Sequence, residues 1–321
     1  MKVVIAGGSG LIGRAICQAL LAAGHEPVVL SRDPSGATGL PSGVRVVAWE
    51  VASQGPWVAE LAGAGAVINL AGASIGRWPW TASRKQVLLD SRLEPTRALV
   101  AALAALPAEA RPNVLLSASG SDVYEGRDES PADETTPPSD SFLARLCVAW
   151  ENEALRAEAL GVRVVLMRTS SVVAPGAASL RLLALPFRLF VGGRLGSGRQ
   201  WLTWVDMADA VGLYLWALES PAIRGPLNLA APDPRSQSAF AQALGHVLHR
   251  PSWFPTPAWI VRLVLRDQAA LALGSRRVWP TKALASGYVF RRPQLEASLS
   301  AALTAAAKPA LPASGPQDPR P

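Results

Sequence analysis

Residues 2–24 read KVVIAGGSGLIGRAICQALLAAG, and this stretch decides the fold. An apolar strand pattern runs straight into Gly7-Gly8-Ser9-Gly10-Leu11-Ile12-Gly13, after which apolar residues recur at helical spacing as far as Gly24. Strand, glycine turn and helix in that order open a dinucleotide-binding βαβ unit. Gly7 permits a tight turn, Gly10 lets backbone N–H groups approach a pyrophosphate, and Gly13 allows close packing of helix on strand. Gly8, Ser9, Leu11 and Ile12 complete the loop, and the positive helix N-terminus faces the phosphates. An ordinary tight turn could use the same glycines; their place between a strand and a helix favours the cofactor reading.

The next strand, PVVLS, ends at Ser31-Arg32, roughly 20 residues beyond Gly13, where an acid usually grips the ribose 2′-hydroxyl. A hydroxyl and a guanidinium suit a 2′-phosphate instead, because arginine binds phosphate bidentately and a carboxylate would repel it. NADP(H) is therefore expected over NAD(H), although a register shift would bring Asp33 to the ribose. Strand and helix patterns then alternate through VRVVAW, GAVINLAG, a long helix near 83–106, PNVLLSAS, the helix at DSFLARLCVAWE (140–151) and VRVVLMR (162–168). Alternation of this kind predicts an α/β, Rossmann-type doubly wound parallel sheet.

The expected domains are 1–172 for cofactor binding, with segments near 200–230 returning to it, and 173–304 as a smaller C-terminal substrate lobe. Residues 305–321, rich in proline, read as a disordered tail. The stretch at 255–273 reads as one helix whose apolar face suits a lobe interface, against a partner or membrane surface. Thirty-one Lys and Arg against 24 Asp and Glu give a net charge of +7, but the arginines are scattered, so no nucleic-acid partner is expected. No membrane partner is expected either, since no run approaches about 20 apolar residues. The first residue leads directly into a strand, leaving no room for a signal peptide, and a cytoplasmic address follows. Cys17 and Cys147 sit in apolar helical patterns, and His25, His246 and His249 offer no metal spacing with them.

Several motifs together resemble one family. GGSGLIG, Ser31-Arg32, VINLAGASIG (67–76), DSRLEPTRAL (90–99), SAS (117–119), DSFLARLCVAWENEA (140–154) and GGRLGSGRQWLTWVDMADAV (192–211) are similar to the atypical extended short-chain dehydrogenase/reductases of the epimerase family. The stretch 250–299 is similar to that family's C-terminal domain. The resemblance implies NADP(H) held by the glycine loop, by Ser31 and Arg32, and by Leu70, Ala71 and Gly72 beyond the fourth strand. It places Arg92 where ordinary members carry a structural asparagine, Ser119 at the catalytic serine and Cys147 at the catalytic lysine.

In ordinary members a tyrosine and a lysine four residues apart move the proton and hold the nicotinamide ribose. Here the tyrosine position is Leu143, and a shift by one gives Phe142 and Leu146, so neither alignment supplies a proton donor. Cys147 lies on an apolar helix stripe, where burial raises a thiol pKa, and inert core is its plainer role. Tyr124 is a candidate substitute donor, against a half-buried loop tyrosine. Arg92 could bind cofactor phosphate or a substrate anion, against a surface ion pair with Asp90 or Glu94. Arg199, Gln200 and Trp201 are candidates for a substrate wall. Two functions remain open: an oxidoreductase or epimerase on a small polar, nucleotide-sugar-like substrate, or a non-catalytic NADPH-binding regulator, for which the family resemblance alone implies a link to cell division.

Overall fold

The computed structural model describes residues 1–51 and 55–307. Seven parallel strands form the central sheet: β1 (Lys2–Ala6), β2 (Glu26–Ser31), β3 (Arg45–Ala48), β4 (Ala66–Asn69), β5 (Val114–Gly120), β6 (Arg163–Thr169) and β7 (Gly225–Leu229). Their spatial order is β3-β2-β1-β4-β5-β6-β7. The order reverses between β1 and β4, and such a reversal opens a crevice at the carboxyl ends of the strands. Register sets which residues share that edge: Ala6 pairs with Asn69, Asn69 with Ser117, and Ser119 with Arg168.

Both faces of the sheet are buried, which explains why its strands read as continuous apolar runs. Val3, Ile5 and Val29 pack with Ile16 and Leu20 of α1 (Leu11–Ala22) on one face. Val4, Ala6 and Val28 pack on the other with Leu99 and Leu103 of α2 (Ala82–Ala105) and Ala154 of α3 (Phe142–Leu155). A separate core joins α4 (Ala178–Arg188), α6 (Gln237–Leu248) and α8 (Leu295–Ala307) through Phe187, Phe240, Leu244 and Leu299. Between α4 and α6, α5 (Met207–Glu219) returns to the first core through Leu213 and Tyr214 and leads into β7.

Two expectations change. Residues 305–307 close α8, and the remainder of the expected tail, 308–321, lies outside the described residues. The single helix expected at 255–273 breaks into α7 (Ala258–Leu265), a 3-10 turn at Arg266–Ala269 and a short helix at Ala270–Leu273. Arg266 has φ of 49°, outside the helical region, which ends α7 there. Nor is α7 an apolar lobe interface: Val261 is its buried residue, while Trp259 is 65% and Leu263 71% exposed. Among the described residues no helix is long and apolar enough to cross a membrane.

Candidate functional site

The glycine loop is built backbone against backbone. Gly7 has φ of 77°, and a Cβ there would lie 2.8 Å from the carbonyl of Leu70, so the loop after β1 rests directly on the loop after β4. A Cβ at Gly13 would strike the Gly8 Cα at 2.6 Å, so this glycine packs the helix on the loop rather than on the strand. Gly10 is different. Its φ is an ordinary −72°, and a Cβ would meet only the Gly7 carbonyl at 3.3 Å. Protein packing gives Gly10 only a mild reason to be glycine; the space above it is the better reason. Gly10 caps α1 without any side-chain hydrogen bond, and the first turn holds no acid, which leaves the positive helix end open to an anion. These features fit a bound pyrophosphate.

At the tip of β2, Ser31 Oγ donates to the Asp33 carbonyl at 2.9 Å, and Arg32 is exposed. The Asp33 carboxylate is engaged by its own turn, accepting from Ser35 Oγ at 2.7 Å and Gly36 N–H at 3.0 Å, and these bonds hold its pKa below the usual range. Among the described residues, Arg32 forms no ion pair. Arg14 of α1 leans on the loop after Arg32, with Nη1 3.3 Å from where a Gly39 Cβ would stand. Its position directly after the motif was the only sign of it in the sequence.

Beyond β4, Asn69 fixes the chain. Its Oδ1 accepts from Ala71 N–H at 3.2 Å and its Nδ2 donates to Thr96 Oγ1 at 2.8 Å, which also accepts from Trp150 Nε1 at 3.0 Å. Asn69 and Thr96 thus hold the Leu70–Gly72 loop, a role nothing in the sequence pattern singled out. Arg92 lies beside this loop, with Cζ 3.3 Å from where a Gly72 Cβ would stand. Nη1 donates to the Leu88 carbonyl at 2.9 Å and the guanidinium sits 5.2 Å from the Trp150 ring centre. The surface pair with Asp90 or Glu94 is not formed; Asp90 accepts from Gln86 instead. Arg92 therefore carries a partly buried charge with no carboxylate bonded to it among the described residues, and burial lowers its pKa, as does nearby Arg84.

At the tips of β5 and β6 the polar groups bind one another. Glu151 of α3, one turn beyond Cys147, accepts from Ser119 Oγ at 2.6 Å and takes a bidentate pair of hydrogen bonds from Arg168 at 2.8 Å each. Arg168 Nη1 donates to Tyr124 Oη at 2.6 Å, and Tyr124 donates to Asn228 Oδ1 at 3.1 Å. Glu151 and Arg168 are both buried. Tyr124 has no exposed surface, rather than being half-buried, and burial pushes its pKa up to about 12. Its geometry is that of a group holding Arg168. Glu151 was the missed residue here; its signal was a lone acid four positions after Cys147, on the stripe of Leu143 and Cys147.

Cys147 is 4% exposed, and burial, together with the carboxylates of Asp122 and Glu151, pushes its pKa up to about 12. Leu143 is buried beside it. The three residues at 199–201 separate. Arg199 is exposed; Gln200 is buried and donates to the carbonyls of Leu195 and Ala272, a loop-bracing role. Trp201 is half-buried with the Arg277 guanidinium 4.3 Å from its ring centre. Among the described residues no group of three or more His, Cys, Asp or Glu could hold a metal ion.

Residues 3–230 match the family model described as NAD dependent epimerase/dehydratase family, and residues 256–302 match a domain of unknown function, DUF1731. The chain is 35% identical over 301 residues to the epimerase family protein SDR39U1 homolog, chloroplastic, of Arabidopsis thaliana, covering 94% of this chain and 86% of that protein. It is 33% identical to the epimerase family protein YfhF of Bacillus subtilis, over 94% and 97% of the two chains. The crystal structure of human epimerase family protein SDR39U1 (isoform 2) with NADPH superposes with a TM-score of 0.85 at 32% identity, covering 95% of this chain and 99% of that one.

Proposed function

The chain belongs to the NAD dependent epimerase/dehydratase family, and from that premise we propose that it binds NADP(H) across the tips of β1 and β4 and acts as a cytoplasmic oxidoreductase or epimerase on a small polar substrate of the nucleotide-sugar kind. Residues 1–172, completed by β7, form the cofactor-binding domain, and 173–304 form most of the substrate lobe. When bound, the nicotinamide ring supplies or accepts a hydride. The open N-terminus of α1 and the N–H groups of the glycine loop hold the pyrophosphate. Arg32 and Ser31 hold the 2′-phosphate, with Arg14 as a second cation; an Arg32 that forms no ion pair among the described residues and an Asp33 turned into its own loop support this choice, as does the NADPH of the human relative.

The observation that carries the reading is the Arg92 guanidinium against the Gly72 loop, with no carboxylate bonded to it among the described residues. Arg92 supplies from α2 the positive charge that ordinary members place on α3 with a lysine, and it holds the nicotinamide-side ribose. Ser119, its hydroxyl proton given to Glu151, offers acceptor lone pairs to a substrate hydroxyl. Leu143 and Cys147 pack as core and exchange no protons, so the substrate proton passes to water. A second reading, a non-catalytic NADPH-binding regulator, is favoured by the same absence of an acid or base at those two positions.

The test is to load the full chain with NADPH deuterated at the transferable carbon, add metabolite extracts, and follow the label by mass spectrometry. Label appearing in a metabolite supports catalysis and identifies the substrate. Tightly held NADPH that keeps its label in every extract favours the regulator, and failure to bind NADPH removes both readings.

A further inference from the structure

Two helices of the C-terminal half carry apolar stripes on the outside. On α4, Leu180, Ala184 and Phe187 face the core, while Leu182, Leu185 and the following Leu189 remain 51% to 66% exposed. On α7, Trp259 and Leu263, one turn apart, stand in solvent. The segments that connect to these helices are tied together. Trp253 Nε1 donates to the Phe190 carbonyl at 3.0 Å, and the backbone N–H groups of Trp253 and Phe254 both donate to the Gly192 carbonyl at 3.1 Å. Thr256 then exchanges backbone bonds of 2.8 Å with Arg194 and Gly196. Phe190, Trp253 and Phe254 are each more than half exposed at this junction, so exposed apolar side chains continue from the end of α4 through Leu189 to Val191 and the paired 253–254 segment toward the start of α7. Contiguous apolar surface of this extent marks an interaction site.

Charge says what the site receives. Residues 159–205 and 234–266, which supply the face, contain no Asp or Glu. Arg181, Arg188, Arg250 and Arg262 are exposed, and among the described residues none of the four is ion-paired. Arg250 lies 4.6 Å from the Phe190 ring centre, an arginine set directly on the apolar surface. The nearest acid in the chain beyond α7, Asp267, is engaged by Lys85. We propose that this acid-free, arginine-bearing apolar face docks the protein onto the surface of a membrane containing anionic lipid. Trp, Phe and Leu enter the boundary between headgroups and acyl chains, while the arginines meet the lipid phosphates. A second copy of the chain fits less well, because a two-fold contact would set the same arginines against each other. The expectation of no membrane partner rested on the lack of a spanning run, which surface docking does not need, and on reading the 255–273 helix as a lobe interface, which the exposure of Trp259 and Leu263 removes.

The experiment is co-sedimentation of the full chain with vesicles of phosphatidylcholine alone or of equal parts phosphatidylcholine and phosphatidylglycerol. Partition into the anionic vesicles is expected to exceed that into neutral ones by about tenfold or more and to weaken with salt. Trp259→Ser with Leu263→Ser, and separately Arg188→Glu with Arg262→Glu, should each reduce it about tenfold. Both pairs are exposed and none of the four residues belongs to the proposed cofactor cradle, so NADPH binding and Tm should stay at wild-type values. No sedimentation with either vesicle overturns the proposal, as does equal sedimentation with both. A dimer in light scattering that is lost in the Trp259→Ser, Leu263→Ser protein, with vesicles ignored, assigns the face to a second copy and overturns it too.

Discussion

The two halves of the crevice treat their polar groups in opposite ways. At the tips of β1, β2 and β4, donors are left over: the first turn of α1 has no side-chain cap, Arg32 is unpaired, and Arg92 has no carboxylate bonded to it among the described residues. At the tips of β5 and β6 they are consumed, with Ser119, Glu151, Arg168, Tyr124 and Asn228 bonded in one chain. Unsatisfied donors at the mouth of a crevice are stabilised by a ligand, while a satisfied buried network stabilises the protein's own shape. Substitutions should therefore separate binding on one side from stability on the other.

The largest effect is expected from Arg168→Met. It removes the partner of a buried carboxylate and the donor to Tyr124, and breaking a buried pair from one side costs about 3–5 kcal/mol. Urea unfolding of the cofactor-free protein should show that loss. Replacing both members, Arg168→Met with Glu151→Leu, should recover much of it, because no buried charge is then left alone. A loss of about 1 kcal/mol or less in the single variant, the size of an exposed pair, would mean that the network is wet and that Arg168 and Tyr124, and not the spare lone pairs of Ser119 alone, are available to substrate.

The cofactor side of this contrast was legible in the sequence because its signal is local. Gly7 to Gly13 and Ser31-Arg32 lie next to the strands that position them, and the alternating apolar runs place those strands in a parallel sheet. The network was not legible because it is long-range. Glu151 meets Ser119 across 32 residues and Arg168 across 17, and Tyr124 meets Asn228 across 104. Nothing near Ser119 or Tyr124 shows that their hydroxyls are already committed, and spacing alone cannot distinguish a free hydroxyl from a bonded one. The exposed stripes of α4 and α7 were hidden for a related reason: amphipathic spacing gives the direction of an apolar face but not what lies opposite it. At Arg92 local pattern left an anion site and a surface ion pair with Asp90 or Glu94 both open, and the packing of α2 on α3 turned the side chain inward onto Trp150 and the Gly72 loop.

Arg92→Met tests the binding side. The thioether keeps much of the apolar stem and loses the charge-assisted donors, worth about 1.5–3 kcal/mol. The Kd for NADPH should rise roughly 10-fold to 100-fold by that measure, read by quenching of intrinsic fluorescence. Stability without cofactor should be unchanged or slightly higher, because the charge removed is one that burial already disfavours. If instead stability falls and affinity holds, Arg92 belongs with the network rather than with the cradle, and the contrast between the two halves fails.

Cys147 sits where the two halves meet, and pH distinguishes inert core from a poised nucleophile. Burial first, then Asp122 and Glu151, raise its pKa, while the Gly120 N–H and Arg92 pull the other way; the balance lies at about 12 against an ordinary 9.0. The folded protein thus keeps the proton that the unfolded chain releases near 9.0. The stabilisation is fully present below that pH and is lost as pH rises through the window toward 12. Unfolding free energy measured from pH 7 to 11 should fall less steeply in Cys147→Ala, by about 1.4 kcal/mol per pH unit above the thiol's unfolded value. Cys17, raised to about 11, contributes a slope of the same sign to both proteins and cancels in the difference. A wild-type protein that is alkylated at Cys147 near neutral pH, at a rate independent of unfolding, would show the opposite: a thiolate stabilised by Arg92, and a nucleophile where α3 otherwise carries packing.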